Sequence, residues 1–181
     1  MAEIECRISK IIINERQDGQ IIWIEEADGK RSFAVIVGFY EASSLRDRIK
    51  SFQAPRPLTH NLISNCIRGM GGRLTRIVVT ELKDSTYYAN LVVEANGDTV
   101  LIDARPSDAL VMAAQEGVPI YVADEVLSQA GKWALDPKMD FSIQDLEQAF
   151  GEKYEEFDAF EDEDDQDEDD QDDDDQDTGD F

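Results

Sequence analysis

The sequence predicts an α+β fold: antiparallel and mixed β-sheet hairpins with interspersed helices, followed by a disordered acidic C-terminal tail. Three observations predict it. Several short runs alternate apolar and polar residues at period two, as half-buried strands do. Turn pairs that readily adopt positive φ, such as Asp28-Gly29 and Asn96-Gly97, separate those runs. Two Arg-Pro pairs precede stretches whose apolar residues recur at helical spacing. Strands joined in hairpins, with helices between them, point to α+β rather than to a repeating βαβ chain.

Taken in order, EIECRIS is the first expected strand, and QIIWIEE and SFAVIVG follow behind Asp18-Gly19 and Asp28-Gly29. After Gly38 the alternation stops, and FYEASSLRDRIKSF fits a helix. In APRPLTHNLI, Pro55 and Pro57 fix φ and push Ala54 and Arg56 towards extended conformations. Thr59 is the expected N-cap of the next helix, whose Leu62, Ile63, Cys66, Ile67 and Met70 share an apolar face. Gly71-Gly72 ends it. RLTRIVVTEL, TYYANLVVEA and DTVLIDA are three further strands, turned at Asp84-Ser85 and Asn96-Gly97. A helix capped at Ser107 then runs to Gly117, VPIYVAD is a short strand, and EVLSQAG supplies a helical turn or two. Ser142 and Asp145 stand at capping-box spacing, which predicts a last short helix over SIQDLEQAF.

Charge divides the chain. Of 41 acidic and 17 basic residues, 19 and one respectively lie from Glu152 onward, so the first 151 residues hold 22 and 16. The body is mildly acidic and the excess belongs to the tail, where like-charge repulsion and the lack of apolar periodicity oppose folding. Cys6 and Cys66 are far apart, there is no CxxC, and a single histidine cannot build a His-rich site, which argues against structural zinc. The charged first residues and the absence of a long apolar window lead to the expectation of a soluble, cytoplasmic protein with no membrane partner.

Two helix mouths hold the candidate chemistry. His60, the only histidine, sits in the first turn after the prolines. The helix N-terminus disfavours imidazolium there, so a general base is the functional reading, against a side chain that merely caps or fills space. In IDARPSDAL, Asp103 ends a strand and Asp108 opens a helix; the two carboxylates could share Mg²⁺ or Mn²⁺, and Arg105 could hold a phosphate. The opposing reading makes Asp108 a helix-dipole partner and Asp103–Arg105 a structural ion pair. Glu41 and Asp84 have local explanations in a first helical turn and a hairpin turn. Arg46, Arg48, Lys50 and Arg56 could form a phosphate-contacting surface or a solvated face. No Walker loop, GxSxG elbow or GxGxxG occurs.

APRPLTHNLI, RIVVTELKDSTYYANLVV and IDARPSDALVMAAQEGVPIYVADEVL together resemble the bifunctional nuclease family, over about Ile4 to Leu127. The resemblance implies that family's α+β fold over residues 1–131, a homodimer, and nuclease activity on RNA and DNA. It leaves residues 132–151 as an extension with a short helix and 152–181 as the tail. On residue chemistry at the matching motifs, the expected catalytic set is His60, Asp103 and Asp108, with Asp103 and Asp108 on the metal and Arg56 or Arg105 on phosphate. Asn61 stands where relatives usually have Asp, and Ser85 where they usually have Gly. The rival expectation is a non-catalytic interaction module, in which His60, Asp103, Arg105 and Asp108 pin the two helix entries together. A tethered polyanion competes with nucleic acid for basic groups, so the tail is expected either to inhibit the protein itself or to keep it soluble.

Overall fold

The computed structural model describes residues 2–14 and 19–130, and the backbone of 155–158. The expected helix over 142–150 and most of the expected tail lie outside the described residues. A mixed sheet is built from two antiparallel meanders. The first comprises β1 (Glu3–Ile13), β2 (Gln20–Glu26) and β3 (Ser32–Val37); the second comprises β4 (Gly72–Lys83), β5 (Thr86–Ala95) and β6 (Asp98–Ala104). No strand of one meander pairs with a strand of the other, although Glu3 of β1 meets Arg76 of β4 at 3.4 Å and Phe33 of β3 packs on Tyr87 of β5. β7 (Ile120–Ala123) lies between them, antiparallel to β1 and parallel to β4, giving the order β3-β2-β1-β7-β4-β5-β6. β8 (Glu155–Asp158) pairs with Lys10–Ile13 of β1. The expected boundary at Glu152 therefore assigns to the tail four residues that form a strand.

The hairpin turns follow their residue chemistry. Asn96 and Gly97 have φ of 54° and 88°, and Asp84 and Ser85 have 49° and 60°. Both central residues of each turn are thus left-handed, which matches the twist of the flanking strands.

Four helices are described: α1 (Phe39–Ile49), α2 (Thr59–Gly69), α3 (Pro106–Glu116) and α4 (Asp124–Ala130). α3 is the central one. Ala109 to Ala113 are all buried, and the helix packs on α1, α2, β4 and β5. Ile11, Ile22, Ile24, Phe33, Leu45, Ile77, Val79, Leu110 and Met112 fill the core between these helices and the sheet.

Both expected N-caps shift. The α2 cap is Leu58 rather than Thr59; its side chain can accept no hydrogen bond, and Asn61 reaches back instead, its Oδ1 accepting from the Leu58 N–H at 3.0 Å. The α3 cap is Arg105 rather than Ser107, because Pro106 begins the helix at a position where the missing N–H costs nothing. Gly117 closes α3 at φ 65°, as expected.

The expected apolar face of α2 is the larger correction. Only Ser64 and Ile67 are buried, whereas Leu62, Ile63, Cys66 and Met70 are exposed. The sheet and α3 cover a flank that carries Ser64, and the apolar flank points away from them.

Candidate functional site

The first turns of α1, α2 and α3 converge, and each contributes a polar side chain. Asp108, in the first turn of α3, accepts from Arg105 Nε at 2.7 Å and from Arg105 Nη2 at 3.0 Å. Arg105 Nη2 also donates to Glu41 Oε1 in the first turn of α1, at 2.6 Å. His60, from α2, places Nε2 3.1 Å from Asp108 Oδ1. Three helix N-termini bring partial positive charge to one place, and the two carboxylates answer it. Gly38 leaves the room Glu41 needs, since a Cβ there would lie 2.5 Å from Oε2 of Glu41.

Burial would raise the Asp108 carboxyl, but hydrogen bonds from Arg105 and His60, and their charges, outweigh it and hold the pKa below the ordinary value. Hydrogen bonds to Asp108 and then to Glu41 push Arg105 up further from an already basic value. An ionised Asp108 can only accept, so His60 Nε2 must be the donor of this bond whichever charge the ring carries. In the neutral form of the ring, Nδ1 is then the nitrogen with the free lone pair. The His60 side chain is 13% exposed, and one side of it faces open space.

That side is a cleft of about 430 Å³, lined by Arg48, Phe52, Arg56, His60, Asn61 and Gln115 among others. Arg48 is partly committed, donating from Nε to the Ala114 carbonyl at 3.2 Å. Arg56 makes no ion pair or side-chain hydrogen bond with another described residue, so it is the uncommitted cation of the cleft.

His60, Arg105 and Asp108 therefore meet. Asp103 does not join them: it lies exposed on the edge strand β6, opposite Asn90, with no hydrogen bond or ion pair to the other three. Asp84 is in its hairpin turn. Glu41, set aside on local grounds in the sequence, is the second anchor of Arg105; 64 residues separate the two, and no local pattern reveals such a pair. A divalent cation does not fit this arrangement. Both Asp108 oxygens already receive hydrogen bonds, a guanidinium lies against them, and no group of three His, Cys, Asp or Glu among the described residues is placed to hold a metal. Asn61, which stands where relatives usually have Asp, serves as the cap of α2. No described helix is long and apolar enough to cross a membrane.

Comparison with known proteins gives a consistent picture. The family model described as "Bifunctional nuclease domain" matches residues 21–134. An uncharacterized protein of Mycobacterium tuberculosis (strain CDC 1551 / Oshkosh) is 33% identical over 153 residues, covering 84% of this chain and 92% of its own length. Bifunctional nuclease 1 of Oryza sativa subsp. indica is 27% identical over 92 residues, which cover 49% of this chain and 28% of the rice protein.

Proposed function

The chain belongs to the bifunctional nuclease domain family, and on that premise we propose that it cleaves phosphodiester bonds of RNA and DNA with His60 as general base. The observation that carries this reading is His60, paired behind with Asp108, on the wall of an open cleft that also holds an uncommitted arginine. Nδ1 takes the proton of the attacking hydroxyl or water. Asp108 keeps the ring in the tautomer that makes this possible and stabilises the imidazolium that forms. Arg105, fixed from both sides by Glu41 and Asp108, positions the carboxylate rather than binding substrate. Arg56 meets the phosphate and the negative charge that grows on it. A Mg²⁺ or Mn²⁺ at Asp103 and Asp108 stays outside this mechanism, because Asp108 would have to give up Arg105 to ligate it.

The test is cleavage of labelled single-stranded RNA and DNA, with and without chelator. His60→Ala should lower the rate by about 10²- to 10⁴-fold, and Asp108→Asn by a comparable factor. Unchanged activity in His60→Ala would remove the base from this site. Activity abolished by chelator and restored by Mg²⁺ would require a metal centre that the described residues do not form.

The same reading includes a homodimer. Support comes from β6, whose Val100, Leu101 and Ile102 are exposed at the end of the sheet. Antiparallel pairing of two β6 strands about Leu101 sets Val100 of one copy opposite Ile102 of the other, so the edge is complementary to itself. It also includes an inhibitory tail: residues 159–181 are strongly acidic, and a tether gives them an effective concentration on the order of millimolar at a basic cleft. A chain ended after Asp158 keeps β8 and should cleave faster than the full chain, most clearly at low salt.

A further inference from the structure

α1 ends in an unusual way. Ser51 takes φ 53°, a left-handed conformation normally left to glycine, and its N–H bonds to the Arg48 carbonyl at 3.1 Å. The next N–H, of Phe52, bonds back to the Asp47 carbonyl at 2.8 Å. This is the double closure of a Schellman motif, and the residue at the Phe52 position commonly folds its side chain back onto the helix. Here it does not: Phe52 is 61% exposed and lines the cleft that holds His60. The backbone of this residue is fixed while its ring is left open to water. Pro55 and Pro57 stiffen the chain immediately beyond, so little freedom remains to be lost when something binds.

We propose that Phe52 is a stacking platform for one base of single-stranded RNA or DNA, with the adjoining phosphate at Arg56. The inference rests on the reading of this cleft as a nucleic-acid site. Four residues of chain can separate Phe52 and Arg56 by no more than about 14 Å, a span that a base and its flanking phosphates can bridge. Gln53, Asn61 and Gln115 line the same cleft; the Gln53 amide can donate to or accept from a base edge, while Asn61 Oδ1 is held by the Leu58 N–H and Gln115 Nε2 by Ser64 Oγ. A paired duplex offers no free base face to an aromatic ring on its outside, whereas a single strand offers one at every nucleotide. Because every base has such a face, this device favours single strands without selecting a sequence, and it serves ribose and deoxyribose chains alike.

The experiment uses the full-length chain carrying His60→Ala, so that binding is read without cleavage. The probe is a single-stranded hexanucleotide with 2-aminopurine in place of one base, compared with the same sequence as a duplex, at low salt. Adding Phe52→Ala should weaken single-strand binding by about 5- to 100-fold and abolish the quenching of 2-aminopurine that stacking produces. Phe52→Trp should restore both, and duplex binding should be insensitive to either change. Single-strand affinity that is unaltered by Phe52→Ala would overturn the proposal. So would an equal loss on the duplex, or no binding of the single strand at all. The two readings fail separately. A chain that stacks single strands at Phe52 and cleaves nothing keeps this inference and loses the base; a chain whose cleavage needs His60 and whose binding ignores Phe52 does the reverse.

Discussion

Asp108 shows how one side chain's environment fixes its response to acid. Its carboxyl lies below the ordinary value of 3.8 because Arg105 and His60 together outweigh its burial. A depressed carboxyl contributes stability that is complete above the unfolded value and is lost as pH falls through the folded one. Asp108→Asn should therefore cost roughly 1 kcal/mol near neutrality, the exposure of Arg105 to solvent limiting the amount. Denaturant melts at stepped pH should show that difference constant above about pH 5 and vanishing below the ordinary carboxylate range; a difference growing towards acid would mean that the carboxyl is raised instead. At this scale the sequence was partly legible. A lone histidine after two prolines and an acid in a first helical turn mark His60 and Asp108 as candidates. Nothing in a separation of 48 residues says that they touch, or that Asp103, five positions away, stays apart.

The helix entries show where local patterns stop informing. Proline fixes the region in which α2 and α3 begin, but the cap itself depends on which group reaches the first N–H. At α2 that group is Asn61, inside the helix, a choice that propensity at the cap position cannot reveal. The glycine ahead of α1 is similar, since its use appears only when Glu41 is seen folding over it. Gly38→Ala has no backbone strain to pay, with φ at −73°, yet it should swing Glu41 off Arg105. The expected result is a small change in melting temperature with a measurable fall in cleavage rate, read by thermal melts beside the nuclease assay. Strands and turns were the easier elements, because period two and turn chemistry are local. Ser85 carries a left-handed φ of 60° that glycine holds without penalty. Ser85→Gly should raise stability by about 1 kcal/mol, and a loss in equilibrium unfolding would mean that the hydroxyl has a role the turn geometry does not show.

For the whole molecule, the alternation of apolar residues says that strands exist and leaves their order open. β7 has four residues and no feature that foretells its place between β1 and β4. Helical periodicity has the same limit: it identifies an apolar face on α2 without saying what covers it. The two cysteines can report on that face. Burial first, then the nearby Glu26, pushes the Cys6 thiol up to about 12, whereas Cys66 lies among the exposed residues of α2. A thiol reagent should leave Cys6 unlabelled in the native protein and label Cys66. If two copies meet through β6 and α2, labelling of Cys66 should slow as the chain is concentrated, while a rate independent of concentration would place the partner copy elsewhere.

The position of β7 also sets an order of events during synthesis. The two meanders, residues 3–37 and 72–104, leave the ribosome first, each able to pair within itself but with no strand of one paired to a strand of the other. The sheet becomes continuous only after Ile120–Ala123 has emerged, and α3, which carries Asp108 to His60, precedes that strand by three residues. Until then the nascent chain holds two half-sheets with open edges and an incomplete site, so an interruption of translation before residue 120 releases a product prone to associate through those edges rather than a smaller working protein.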